Sequence, residues 1–203
     1  LIIENFEQGS PEWIQARLGI PTASEFSKIV TSKGAPSDSA GAYMETLLAE
    51  WYTKKPVDDF FSRWMKRGIE LEPEAADEYA WRRDVNLEKI GLAYLDERKL
   101  VAGSPDRLVG KNGLLEIKCP KASTMVKYLM TKRVPSNYLI QVMGQLWITE
   151  REWADFMAYH PDFNEPLIIR IERNEFLINR IAEAVESFID DMLEKRERLK
   201  EAA

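Results

Sequence analysis

A strand through Leu114-Leu115-Glu116-Ile117-Lys118 constrains this chain more than any other feature. Side chains alternate across a strand, so Glu116 and Lys118 share one face, while Leu115, Ile117 and Cys119 share the other and enter an apolar layer. Upstream lies Gly103-Ser104-Pro105-Asp106, and between the two stretches Gly110-Lys111-Asn112-Gly113 reads as a turn, with Asn-Gly the strongest short-range hairpin signal. Asp106 then returns beside Glu116, which gives two carboxylates and one ammonium around a single point. That set suits a hard, oxygen-seeking cation such as Mg²⁺, which takes one or two protein carboxylates and leaves its other positions to water and phosphates. Lys118 can orient a nucleophilic water or stabilise charge building up at phosphorus. An exposed Glu–Lys pair on an edge strand would show the same short pattern. The Pro-Asp at hairpin distance favours the metal site.

Composition narrows the chemistry further. At 203 residues the chain is expected to form one compact domain, residues 1–203, with a full core and a long C-terminal helix. The single cysteine excludes an internal disulfide, a zinc cluster and a four-cysteine iron–sulfur site, and it fits a reducing cytoplasm. The single histidine, His160, sits in a turn at Tyr159-His160-Pro161, so a histidine-rich metal site is excluded by count. Chemistry here must rest on carboxylates, lysine and a metal. No apolar run approaches a membrane span, and the N-terminus carries no signal-peptide pattern. The net charge of −6 argues mildly against nucleic acid, yet a local basic groove can coexist with acidic outer surfaces. Acids gather at 58–59, 70–78 and 183–201, whereas Lys121, Lys127, Lys132 and Arg133 closely follow the candidate site.

Helical signals come first along the chain. Ser10-Pro11-Glu12 opens a short helix to Gly19, and helical spacing runs over Pro21–Val30, 42–52 and 62–79, with a kink or break expected near Glu72 because of Pro73. Thr31–Gly41 reads as a mobile loop. Short strands follow at Val85–Leu87, Leu92–Asp96 and Val101–Val109. Helices are expected at 123–131 and Ser136–Thr149, strands at 153–159 and Leu167–Glu172, and an amphipathic helix over 175–199 with Phe176, Ile178, Ile181, Val185, Phe188, Ile189, Met192 and Leu193 on its apolar side. The six tryptophans, Trp13, Trp51, Trp64, Trp81, Trp147 and Trp153, read as core residues. The expected class is α/β, a restriction-endonuclease-like mixed central sheet flanked by helices.

Five motifs occur in the order found in lambda-type phage exonucleases. They are residues 16–24 (ARLGIPTAS), 67–72 (RGIELE), 103–106 (GSPD), 115–120 (LEIKCP) and 138–146 (YLIQVMGQL). The chain thus resembles the YqaJ-like viral recombinases of the PD-(D/E)XK nuclease superfamily over roughly residues 9 to 160. The resemblance implies a processive 5′→3′ exonuclease on double-stranded DNA that leaves a 3′ single-stranded tail. It further implies Mg²⁺ as cofactor with Mn²⁺ as a substitute, a ring-shaped homotrimer, a single-strand annealing protein as partner, and a phage or prophage protein in a bacterial host.

Residue by residue, Asp106, Glu116 and the Ile117 carbonyl match the family's metal ligands and Lys118 its catalytic lysine. Glu72 matches the helix glutamate by its spacing from Gly68, with Glu70 close enough to compete, and Gln141 matches the glutamine of the following helix. Arg17, Ser24 and Ser104, with Thr22 beside them, match a 5′-phosphate pocket, for which a guanidinium and hydroxyls are suitable. The loop 31–40 carries only Lys33 where relatives have several basic residues for DNA. Taken alone, Arg17 reads as a surface charge, Ser24 as a cap, Glu72 as one acid of a solvated helix, and Gln141 as a partner for a buried polar group. Two other functions compete: a restriction-type or structure-specific endonuclease of the same superfamily, and a silent DNA-binding module. A terminal-phosphate pocket disfavours the first, and the intact Asp106, Glu116 and Lys118 disfavour the second.

Overall fold

The strand that carries Glu116 and Lys118 is buried on both faces until Lys118, so it belongs inside a sheet covered on two sides. In a computed structural model, which describes residues 1–57 and 63–202, it lies at the centre of a five-stranded sheet. In chain order the elements are β1 (Ile2–Glu4), α1 (Pro11–Arg17), a 3₁₀ helix (Ala23–Lys28), α2 (Ala40–Thr53), α3 (Arg63–Arg83), β2 (Leu87–Glu88), β3 (Leu92–Tyr94) and β4 (Ala102–Gly103). They continue with β5 (Arg107–Val109), β6 (Gly113–Lys118), α4 (Ala122–Thr131), α5 (Ser136–Thr149), β7 (Trp153–Ala158), β8 (Leu167–Glu172) and α6 (Glu175–Glu201).

The large sheet has the order β2-β5-β6-β7-β8, parallel between β6 and β7 and antiparallel elsewhere. A parallel pair needs a long crossover, which α4 and α5 supply. Leu115 and Ile117 pack on Ala75, Ala76 and Tyr79 of α3. On the opposite face, Leu114 and Phe156 meet Ile140 and Leu146 of α5 and Ile178 and Ile181 of α6. A second, antiparallel sheet of β1, β3 and β4 stands beside the first.

Several expectations are corrected. The helix α3 runs unbroken through Pro73. Its two halves are pinned separately: Glu72 bonds Arg107 and Arg67 bonds the Cys119 carbonyl, while Tyr79 bonds Asp155 beyond the proline. The expected helix over Pro21–Val30 is only a short 3₁₀ helix. The expected strand Val101–Val109 is two strands in different sheets. The hairpin turn centres on residues 110–112, with Gly110 at φ 53°, so Gly113 is already in β6; a Cβ there would lie 2.2 Å from the Trp153 ring. Strand β1 was not legible in so short a segment.

Among the tryptophans, Trp13 is buried and Trp81 is 77% exposed, which contradicts a core role for the latter. Phe176 likewise stands outside the apolar stripe of α6, at 73% exposure. The expected start at Ser62, the acids at 58–59 and the side chains of Trp64 and Met65 lie outside the described residues.

Candidate active site

The break between β4 and β5 brings Asp106 to Glu116. Ser104-Pro105-Asp106 crosses from the small sheet to the large one, and the pairing of Arg107 with Leu115 sets Asp106 against the end of β6. The Ile117 N–H donates to Asp106 Oδ2 at 2.5 Å. Glu116 is buried, at 1% exposure, and both its oxygens are occupied. Its Oε1 accepts from Gln141 Nε2 at 2.7 Å and from Lys118 Nζ, and its Oε2 accepts from Gln145 Nε2 at 2.8 Å. The Lys118 ammonium lies 4.9 Å from the centre of the Tyr138 ring, and Tyr138 stacks on Phe156.

Burial pushes the Asp106 carboxyl well above the usual carboxylate range, and the Glu116 charge pushes it further. Burial alone would lower the Lys118 ammonium, but Glu116 and Asp106 outweigh it and raise Lys118 above its ordinary value. Two neighbouring carboxylates thus share one ammonium, and the Asp106 charge is penalised by burial and by Glu116. A divalent cation fits that imbalance, with Asp106, Glu116 and the Ile117 carbonyl as the groups able to hold it. Among the described residues no three Asp, Glu, His or Cys side chains converge as a metal cluster. Two carboxylates and a carbonyl, completed by water and phosphate, are the donor set that Mg²⁺ ordinarily takes.

A second cluster lies in the same cleft. Arg17 Nη2 donates to Thr22 Oγ1 at 3.2 Å and to Ser24 Oγ at 3.4 Å, and the two hydroxyls are 3.2 Å apart. The Arg17 guanidinium lies 4.0 Å from the centre of the Trp13 ring. Burial lowers Arg17 to about 10, which leaves it charged at neutral pH. Gly19, at φ 73°, makes the turn between α1 and Thr22; a Cβ there would stand 2.7 Å from Trp51 Cβ. Both clusters line one cleft of about 890 Å³, together with Lys28, Lys89 and Lys121.

This layout has relatives. Residues 12–152 match the model of the YqaJ-like viral recombinase domain. The chain belongs to the YqaJ-like viral recombinase family. The alkaline exonuclease LHK-Exo from Laribacter hongkongensis superposes with a TM-score of 0.87 at 31% identity, covering 95% of this chain and 97% of that one. Its structure in complex with dAMP matches equally well. A phage related exonuclease from Haemophilus somnus 129PT shares the fold, with a TM-score of 0.73 at 16% identity over 91% of this chain and 96% of that one. An uncharacterized protein of Acanthamoeba polyphaga mimivirus is 27% identical over 168 residues, or 76% of this chain. The chain spans only 29% of that curated relative's length.

For this YqaJ-like chain, most of the residues named from sequence come together in the cleft. Asp106, Glu116, Ile117, Lys118, Gln141, Glu72, Arg17, Thr22, Ser24 and Ser104 all line it, while Glu70 is exposed and Lys33 lies in an exposed loop off the lining. Two of them are engaged in unexpected ways. Glu72 Oε1 accepts from Arg107 Nη1 at 2.6 Å, because Arg107 is itself buried and requires a carboxylate. Ser104 Oγ donates to the Gly91 carbonyl and accepts from Trp13 Nε1 at 3.0 Å, so its proton is already used within the fold. Sequence reading missed Gln145, Arg107 and Tyr138. Gln145 was detectable, since it stands one helical turn after Gln141 and faces the same way.

Proposed function

We propose that this chain, a deoxyribonuclease by family, is a Mg²⁺-dependent 5′→3′ exonuclease on double-stranded DNA that leaves a 3′ single-stranded tail for phage-type recombination. One observation carries the reading: a carboxylate–lysine group and an Arg17–Thr22–Ser24 anion pocket share a single cleft. An endonuclease has no use for a terminal-phosphate pocket. The LHK-Exo structure with dAMP supports the same reading, because a nucleoside monophosphate is the kind of product an exonuclease releases.

Asp106, Glu116 and the Ile117 carbonyl would hold the cation. When bound it supplies Lewis-acid polarisation of the scissile phosphate and charge for the leaving oxygen. Lys118 holds the nucleophilic water in line and stabilises charge on the phosphoryl oxygens. Gln141 and Gln145 fix the plane of Glu116, and Arg17, Thr22 and Ser24 grip the 5′-phosphate. The test is digestion of linear duplex bearing 5′-phosphate or 5′-hydroxyl ends, with Mg²⁺ or with chelator. Cleavage that starts inside circular duplex, or that persists in chelator, would sink the proposal.

Arg17→Ala is expected to erase the preference for 5′-phosphorylated ends. A hydrogen bond to a charged group contributes roughly 1.5–3 kcal/mol, about one to two decades in rate or binding. A variant that keeps the full preference would move the pocket elsewhere.

Gln145→Met is expected to fold, because removing the buried Oε1, unpartnered among the described residues, offsets part of the cost of losing the Nε2 donor to Glu116 Oε2. It should lower metal affinity or cleavage about 10–100-fold, the usual effect of losing a group that orients a ligand. Thermal shifts with Ca²⁺ or Mg²⁺ read the affinity directly.

The finer reading extends to assembly, in which a single-strand annealing protein takes up the 3′ tail. An acidic subunit holds duplex poorly by itself, whereas a closed ring encircles it and can turn Lys121, Lys127, Lys132 and Arg133 toward the channel. Three copies and digestion that continues through a heparin trap are expected. Light scattering that gives a monomer would overturn the ring and leave the nuclease intact.

A further inference from the structure

At the opposite end of β6 lies a second cavity, of about 580 Å³, which shares no lining residue with the active cleft. The strand rises about 3.3 Å per residue, so Gly113 at this end is roughly 16 Å from Lys118. Arg83, Lys111, Arg170, Tyr79, Asn112 and Trp153 line it.

Beneath the cavity Asp155 is wholly buried in β7, and nothing in the cleavage chemistry uses it. Its Oδ1 accepts from Arg170 Nε at 2.5 Å. Its Oδ2 accepts from Tyr79 Oη at 2.7 Å and Arg170 Nη2 at 3.2 Å, with Arg83 Nε 3.9 Å away. Arg170 is also stacked on Trp153, its guanidinium carbon 3.6 Å from the ring centre. The Arg170 guanidinium is thus held on its inner edge by hydrogen bonds, while Arg83 is drawn to the same carboxylate by charge alone; the side chains remain 46% (Arg83) and 44% (Arg170) exposed. A guanidinium fixed on one edge offers its other N–H groups in a set direction, the arrangement that suits phosphate oxygens. Lys111, exposed on the β5–β6 turn, adds a third cation. Asp155 offsets one of these three charges, and Glu172, the cross-strand partner of Trp153, also acts on Arg170. Glu88, Glu152 and Glu172 do not line the cavity itself, and Glu152 accepts from Asn112 Nδ2 at 2.9 Å.

We propose that this cavity is a second site for a phosphate group of nucleic acid, separate from the active cleft. Because Arg170 covers the Trp153 ring, the cavity reads phosphate charge rather than a base, and recognition there is independent of sequence. The phosphate belongs either to the backbone of a single strand or to a free phosphate monoester, and the two sources are separable. The inference stands whether or not the exonuclease reading does.

The test uses the whole chain in chelator, with a denaturing gel to verify that the strand stays intact. Single-stranded (dT)₁₂ and inorganic phosphate are titrated separately while the NMR signals of Trp153 Nε1–H and Arg170 Nε–H are followed. The expected result is a saturable shift of those signals with at least one probe, weakened about tenfold or more in R83A/K111A, since each removes a charge-assisted contact. Arg170 is kept, so Asp155 retains its partners and the fold is not at risk. The control R98A/K200A makes the same change in net charge away from both cavities and should bind as wild type. A shift with (dT)₁₂ assigns the site to a strand, and a shift with phosphate alone assigns it to a free monoester. No saturable shift with either probe, or equal binding by R83A/K111A and the control, overturns the proposal.

Discussion

Asp106→Asn is expected to abolish cleavage and, at the same time, to raise the thermal midpoint of the metal-free protein. On the proposed mechanism catalysis would lose a metal ligand, and the charge stabilisation involved is several kcal/mol, about three decades or more in rate. Stability moves the other way because the Asp106 carboxyl is held above its unfolded value by burial and by Glu116. A carboxyl with a raised folded value favours the native state at low pH and loses that contribution as pH rises through the folded value. Above its unfolded value the wild-type carboxyl therefore costs the native state stability that Asn does not cost. The Asn carbonyl can still accept the Ile117 N–H that now reaches Asp106 Oδ2. The midpoint difference between variant and wild type should be smallest near pH 4 and widen above it. Added Mg²⁺ should raise the wild-type midpoint by mass action and leave the variant nearly unmoved. Wild-type activity in Asp106→Asn would remove this residue from the site. A variant less stable than wild type at neutral pH would mean that Asp106 is a structural acceptor first and a metal ligand second.

The same pair of residues shows what the sequence could and could not reveal. Alternation along β6 placed Glu116 and Lys118 on one face and Leu115 and Ile117 on the other, because strand periodicity is local; Leu115 and Ile117 fall in one apolar cluster and Leu114 in the other. Helix α5 and strand β8 were legible to their ends for the same reason, and the order of the motifs anticipated that Arg17, Thr22 and Ser24 meet. What was hidden depends on contacts between segments distant in sequence. Nothing local says that Gly103 and Arg107 belong to different sheets, or that a buried Arg107 would claim Glu72. Pro73 did not break α3, because the rule against proline in helices is local, whereas the contacts that hold the two halves of α3 are tertiary. Trp81 misled because hydrophobicity alone does not fix which side of a helix meets the sheet.

Lys118→Met is expected to lose two to three decades of the chemical step while DNA binding changes by only a few fold. The magnitude is about that of deleting one preorganised donor from a transition-state site, roughly 10²–10³ in kcat. The neighbouring carboxylates hold Lys118 above its ordinary value, so it is an ammonium throughout the neutral range. That state cannot accept a proton, so the proposed mechanism gives it two tasks: fixing the attacking water and countering charge on the phosphoryl oxygens. Both matter most in the transition state, so the loss should fall on the rate and not on affinity. Glu116 should stay in place, because Gln141 and Gln145 each still donate to one of its oxygens. Single-turnover cleavage of pre-bound duplex, compared at pH 7 and pH 9, separates the possibilities. A defect of the same size at both pH values is the expected outcome. A defect that appears only at the higher pH would instead mark Lys118 as a base. A normal single-turnover rate with weakened binding would reduce it to a phosphate contact.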